Sequence, residues 1–273
     1  MSTTKRLNPS TVFLFTVLHI LAALGIFFHT SAALIMFLVL YLITGFGITV
    51  GYHRLLTHRG FKTTSFVQNL LATAGALAAQ GGPLFWIANH RQHHQFTDLE
   101  SDPYNSRLGF WWSHIGWILC AETLLDSDPN YVSELSINPW LSWLDRHFIV
   151  LQLSFATLLF LLTYPFSGLY GAISMVVWAV PLRIVVVYHN TFLTNSVAHL
   201  WGYRNFETSD CSVNSWWVAL LTLGEGWHNN HHAFPASSRH GLRRWELDPS
   251  WWFILLLRRF NLAWDIKSAK INP

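Results

Sequence analysis

From Leu7 to His53 the chain carries no Asp, Glu, Lys or Arg, and it carries none again from His147 to Leu182. Soluble domains hold about 25% charged residues, against 11% here, so both runs read as bilayer-embedded. Each is long enough for two helices of roughly 20 residues joined by a turn. Lys5 and Arg6 precede the first run, His29-Thr30-Ser31 makes its uncharged turn, and Arg54, Arg59 and Lys62 follow it. The second run repeats the arrangement, with Arg146 before it, Pro165-Phe166-Ser167-Gly168 as its turn, and Arg204, Arg239, Arg243 and Arg244 beyond. Basic residues favour the cytoplasmic side. The expected fold is therefore all-α: four transmembrane helices, at about 11–28, 32–50, 148–164 and 169–187, in two hairpins. A cytoplasmic helical cap is expected from 53–146 and 190–273, and the whole of 1–273 reads as one domain. This multi-pass chain would sit in a bacterial cell membrane with both termini and the cap in the cytoplasm.

Three further stretches are apolar without being good spans. Residues 63–90 are uncharged, but Gln68, Asn69, Gln80, Gly81, Gly82 and Pro83 suit a re-entrant or interfacial segment better, tolerable where protein covers its backbone. A span there would also put His58 and His90 on opposite sides of the bilayer. Phe110–Leu125 and Trp251–Leu257 are short and Trp-rich, as expected either of interfacial helices or of core helices of the cap. Arg183, at the edge of the last span, is expected to snorkel to the interface. Two cysteines, Cys120 and Cys211, make no disulfide framework. No basic patch alternates with base-stacking residues, so a nucleic-acid partner is not expected. The first apolar run leads straight into a second, unlike a cleavable leader.

Histidine supplies the chemistry. Gly224-Glu225-Gly226-Trp227-His228-Asn229-Asn230-His231-His232 contains H-x-x-H-H, and His90, His93 and His94 repeat that spacing. In a helix the three positions share one face. His53 and His58 form a looser H-x4-H, and Asn195 and His199 lie at i, i+4 after the last span. Nine of the 15 histidines fall in these places, whereas His19 and His29 stand alone and read as structural. Nine imidazoles exceed one coordination sphere, which favours two metals. A hydrolytic zinc site needs only about three protein ligands. Abundant imidazole without carboxylate in the clusters suits a redox-active pair of iron ions that activates O2, acting on an apolar substrate taken from the bilayer. A metal transporter or sensor would instead need ligands strung along the spans.

These motifs carry a resemblance. His53-x4-His58, His90-x2-His93-His94 and His228-x2-His231-His232, set around hairpin spans, resemble the integral-membrane fatty acid desaturases. Asn195-Ser196-Val197-Ala198-His199 and Gly224-Glu225-Gly226-Trp227-His228 are closest to the Δ9, stearoyl-CoA desaturase-like branch, with support from Asp102-Pro103-Tyr104-Asn105-Ser106 and Gly109–Trp117. The resemblance spans about residues 30–267. It implies O2-dependent insertion of a cis double bond into a saturated fatty acyl chain at a di-iron centre. It further implies that His53, His58, His90, His93, His94, His199, His228, His231 and His232 bind the metals and that Asn195 completes the site, through water. Gln80, Trp86, Thr191 and Phe192 correspond to positions lining a kinked substrate tunnel. Where the animal acyl-CoA enzymes have Arg-Asp before the second box, this chain has Ala88-Asn89, so acyl-CoA and acyl-lipid both stay open. With no cytochrome b5 module, electrons are expected from a separate donor, a ferredoxin or cytochrome b5-like protein. A membrane hydroxylase on the same scaffold is the alternative.

Overall fold

The computed structural model describes residues 6–120 and 129–270. Three of its helices are long and apolar enough to cross a membrane: Pro9–Ile26, Ser31–Thr57 and Pro139–Leu200. In the first, helix α1 (Pro9–Ala23) begins where the Asn8 side chain accepts from the Ser10 and Thr11 amides, with Pro9 at the first turn. Helix α2 (Ser31–Phe46), capped by Thr30, continues without interruption into a π-helical stretch, Gly47–Thr57. The helix of the second apolar segment thus runs three residues beyond Arg54, where the charges resume. Its wider winding carries His53 inward, and such stretches cluster at functional sites. Helix α5 (Pro139–Val177), a π-helical turn at Trp178–Leu182 and helix α6 (Arg183–Leu200) make up the third. Gly168 interrupts it at φ 63 and ψ −170, a conformation that glycine takes without penalty. Phe13, Ile20, Ile26, Ile35, Leu153, Leu161 and Phe166 on these helices are all exposed, an apolar surface beyond that of a soluble monomer.

Between the second and third segments lie α3 (Ser65–Leu77) and α4 (Pro83–Phe96). Helix α3 crosses the π-helical stretch closely: a Cβ on Gly47 would lie 2.2 Å from the Gly75 amide nitrogen. Small residues thus bring two backbones together where apolar lipid gives helices little reason to associate. Around that crossing Ile48, Val50, Tyr52, Leu71, Ala76, Ile87, Leu141, Leu144 and Ile254 form one buried core; Phe15, Leu40, Tyr104, Trp117, Ile184, Tyr188 and Phe192 form a second. The expected apolar stretch 110–125 contains a π-helical turn at Trp112–Gly116 followed by Trp117–Leu119, and its residues 121–125 lie outside the described residues. After α6 come α7 (Trp216–Leu221), α8 (His228–Ala233) and α9 (Pro249–Arg259), the last containing the Trp251–Leu257 stretch. A short antiparallel pair, Lys62–Thr63 with Ala263–Trp264, ties the end of the chain to the start of α3.

One expectation fails here. Arg183 does not snorkel: its side chain is fully buried, with Nε donating to Ala179 O at 2.8 Å and Nη1 to Leu77 O at 2.7 Å. The carbonyls at the C-terminal end of α3 provide a nearer polar environment than the membrane surface does.

Candidate metal centre

Four elements converge on one buried cluster. The π-helical stretch and its cap provide His53 and His58, α4 provides His90, His93 and His94, the end of α6 provides His199, and α8 provides His228, His231 and His232. The nine separate into two groups, within each of which one nitrogen per ring lies inside 4.8 Å of the others: His53, His58, His90, His94 and His231, and His93, His199, His228 and His232. Each H-x-x-H-H motif is divided between the groups. His90 and His94 enter the first while His93 enters the second; His231 enters the first while His228 and His232 enter the second. The shared helix face therefore bridges two pockets.

Hydrogen bonds behind the rings fix which nitrogen faces inward. His53 Nδ1 lies 2.5 Å from Glu225, His93 Nδ1 2.9 Å from Asp102, His199 Nδ1 3.3 Å from Asp98 and His232 Nδ1 3.0 Å from Asp210. His90 Nδ1 meets the Tyr104 hydroxyl at 3.1 Å. A carboxylate only accepts, so Nδ1 carries the proton and Nε2 turns a lone pair to the interior. There the Nε2 atoms of His53 and His231 approach to 3.0 Å, those of His94 and His231 to 2.9 Å and those of His228 and His232 to 3.0 Å. His58, His93 and His199 keep Nε2 buried without a protein partner. A proton on one ring of each pair, or a cation between them, holds these contacts; only a cation also satisfies the orphaned Nε2 atoms of His58, His93 and His199, so the donor set fits a metal in each group.

The electrostatics agree. Burial, reinforced by the neighbouring imidazoles, pushes His58, His90, His94, His228 and His231 well below the ordinary histidine value. Burial also lowers His232, to about 4, although Asp210 opposes it. All are neutral, the form that ligates. Burial raises the Asp98 and Asp210 carboxyls, but His199 with Ser106 and Cys211, and His232 with Ser212, outweigh it and hold both below the usual carboxylate range.

A third group, His53, Glu225 and His240, also brings three side chains within 4.8 Å. The Arg54 guanidinium occupies its flank: Nη2 is 3.0 Å from Glu225 and 3.2 Å from His240 Nδ1, and Nη1 is 2.9 Å from Asp248. A fixed cation there argues against a metal, and the cluster instead anchors the carboxylate behind His53.

An apolar cavity of about 400 Å³ opens onto the centre. His53, His90, His93 and His228 form part of its wall, as do Asn195 and all four expected tunnel residues, Gln80, Trp86, Thr191 and Phe192. Gln80 Nε2 donates to Thr191 Oγ1 at 2.7 Å, Trp86 Nε1 donates to Gln80 Oε1 at 3.1 Å, and the Trp86 ring stacks on His90 with centroids 4.9 Å apart. His19 bonds His189, Nε2 to Nε2 at 3.1 Å, and stays outside both groups. The sequence reading missed Asp98, Asp210, Arg54, His240 and Asp248. Glu225 and Asp102 stood inside quoted motifs, yet nothing in spacing gave them a partner.

Residues 29–254 match the family model described as fatty acid desaturase. The chain is 43% identical over 263 residues to an "sn-2 palmitoyl-lipid 9-desaturase" of Nostoc sp. (strain 36), covering 94% of this chain and 90% of that one. It is 44% identical over 272 residues to an "sn-1 stearoyl-lipid 9-desaturase" of Anabaena variabilis, covering 98% and 97%. Against a "Palmitoyl-monogalactosyldiacylglycerol delta-7 desaturase, chloroplastic" of Arabidopsis thaliana it is 41% identical over 253 residues, covering 92% and 66%.

Proposed function

This chain belongs to the fatty acid desaturase family, and we propose that it inserts a cis double bond at C9, counted from the carboxyl end, of a saturated acyl chain carried on a membrane lipid. The single observation that carries the reading is the pair of imidazole groups set in the wall of an apolar cavity. In the balanced reaction, two hydrogens leave adjacent carbons, O2 is reduced to two waters, and two electrons and two protons enter. Two iron ions, held by His53, His58, His90, His94 and His231 and by His93, His199, His228 and His232, would supply the oxidising power that side chains lack. The protein's own part is placement. Asn195, in the cavity wall with His93 and His228, would complete the site through water. Gln80, Trp86, Thr191 and Phe192 hold the acyl chain in one bent path beside the metals, so a fixed distance from the head group selects one carbon.

Relatives named for sn-1 and sn-2 lipids match almost equally well, so both glycerol positions stand as substrates to test. The membrane context carries the topology: four spans, both termini and the histidines cytoplasmic, only residues 29–31 and 165–168 outside. Support for a return at Gly168 comes from α3, whose Ala76 and Leu77 carbonyls accept from Gln152 and Arg183 respectively. A straight helix would set those two side chains roughly 46 Å apart. Electrons come from a separate donor, a ferredoxin or cytochrome b5-like protein.

Expression in a host without Δ9 activity, followed by mass spectrometry of its lipids, tests the reading. Loss of two hydrogens with the bond at C9 is expected. A gain of one oxygen would establish the hydroxylase instead, and a bond at C7 would place the chain with the Arabidopsis relative.

A further inference from the structure

We infer that Arg183, with Tyr188, is a specificity-determining clamp: it fixes the bend of the substrate cavity, and through it the carbon that is oxidised. The inference rests on the proposed desaturation; Arg183 lies outside the cavity wall, whereas Tyr188 is part of it.

The turn between α3 and α4 lines the cavity at Ala79, Gln80, Gly81 and Gly82, where it would set the bend that the proposed desaturation needs; backbone bonds tie only its start, from the Ala78 and Ala79 amides to the Gly75 and Ala76 carbonyls. Ala79 adopts φ 60 and Gly81 φ 92. A left-handed alanine is unfavourable and persists only where its surroundings over-determine it. The turn's carbonyls also lie away from water, where each needs a partner. One face of α6 supplies the partners. Arg183 Nη1 donates to Leu77 O at 2.7 Å, the Tyr188 hydroxyl donates to Ala79 O, and Gln80 Nε2 reaches both Thr191 Oγ1 at 2.7 Å and Val187 O at 3.4 Å. Positions 183, 187, 188 and 191 recur at helical spacing, so a single rigid surface grips the turn at consecutive points. The guanidinium is fully buried, is held by Ala179 O on its other side, and leaves Nη2 without a protein partner. Burying a cation for packing alone is costly, and a neutral side chain would fill the same space.

What the turn carries explains the expense. Gln80 accepts from Trp86 Nε1, and Trp86 stacks on His90 of the first imidazole group. Arg183 therefore stands at one end of a continuous chain of contacts, through Leu77–Ala79, Gln80 and Trp86, to His90. Movement of the turn shifts the bent part of the cavity relative to the metals, and one carbon of an acyl chain advances only about 1.3 Å. Misplacement by about 1 Å costs up to a hundredfold in rate. A loosened clamp should thus lower turnover at the native carbon and raise it at its neighbours.

The test is made on full-length protein in membranes, comparing wild type with Arg183→Met, Arg183→Lys and Tyr188→Phe. Each is measured for iron per chain, bond position and kcat/KM. We expect Arg183→Met to keep wild-type iron while turnover at C9 falls on the order of tenfold or more and bonds at adjacent carbons emerge. Arg183→Lys, which reaches one carbonyl, should fall between. A purely structural role would lower all products together and leave their ratio unchanged, and that result, with iron intact, overturns the inference. Should Arg183→Met not accumulate, Tyr188→Phe decides, since it deletes one hydroxyl: a spread of positions supports the clamp and an unaltered ratio refutes it. The wild type run alongside separates the two readings. Hydroxylation by the wild type would sink the desaturase assignment, whereas a displaced oxygen in Arg183→Met would still support the clamp.

Discussion

Asp98 offers a clean separation of charge from geometry at the second imidazole group. Its backbone sits at φ 59, a region that Asn tolerates as well as Asp, so Asp98→Asn strains nothing. Oδ2 accepts from His199 Nδ1 at 3.3 Å and from the Cys211 amide at 2.7 Å, while Oδ1 accepts from Ser106 at 2.6 Å. An asparagine can present its oxygen to the first two and its amide to the Ser106 hydroxyl, which turns to accept. Only the charge is lost. A hydrogen bond to a charged group contributes about 1.5–3 kcal/mol against about 0.5–1.5 for a neutral one. The difference of about 1–1.5 kcal/mol corresponds to roughly a tenfold loss of affinity for the metal that His199 would help to hold. Asp98→Ala removes orientation too and places an alanine at positive φ; it should cost about a hundredfold, the upper range for a ligand's outer partner. The assay is iron per chain under a graded chelator. Both variants should release one of two irons early, leaving the His53, His58, His90, His94 and His231 group filled. Simultaneous loss of both irons, or wild-type retention in Asp98→Ala, would refute the division into two pockets or the role of the carboxylate.

Other outcomes follow from the same geometry. His231→Ala should abolish turnover, because its Nε2 approaches both His53 and His94 in the first group; Asn195→Ala should retain some, and His29→Ala should match wild type, all by product formation in membranes. Iron should be released as pH falls from the ordinary histidine range toward 4. Burial lowers His232 from the ordinary 6.5 to about 4 in the folded protein, so the fold has its full stability above 6.5 and loses it as pH falls toward 4; iron retained on dialysis near pH 4 would contradict it. Maleimide applied outside intact cells should label Ser31→Cys and Ser167→Cys but not Ser101→Cys, all three being exposed positions. Labelling at 101 would overturn the topology.

The imidazoles were legible in the sequence because metal ligands come in short helical repeats: three motifs and a lone His199 gave all nine members of the two groups. Their orienting carboxylates were not, because each is reached by tertiary folding. Asp210 pairs with His232 and Asp98 with His199 across stretches that have no period of their own. Charge-free runs marked the apolar helices but not how far those helices go on as helix. The helix from Ser31 reaches Thr57 because the buried Arg54 finds Asp248 and Glu225 inside the protein, not solvent. Arg183 is the same error at a second site. A charge after an apolar run marks the membrane surface only when nothing in the fold can receive it. Both arginines are fully buried, one against two carboxylates behind a metal-facing histidine and the other against the carbonyls of the cavity's bend. In this chain a buried arginine near a span therefore points to the machinery around the substrate, and reading the basic residues only for orientation hides it.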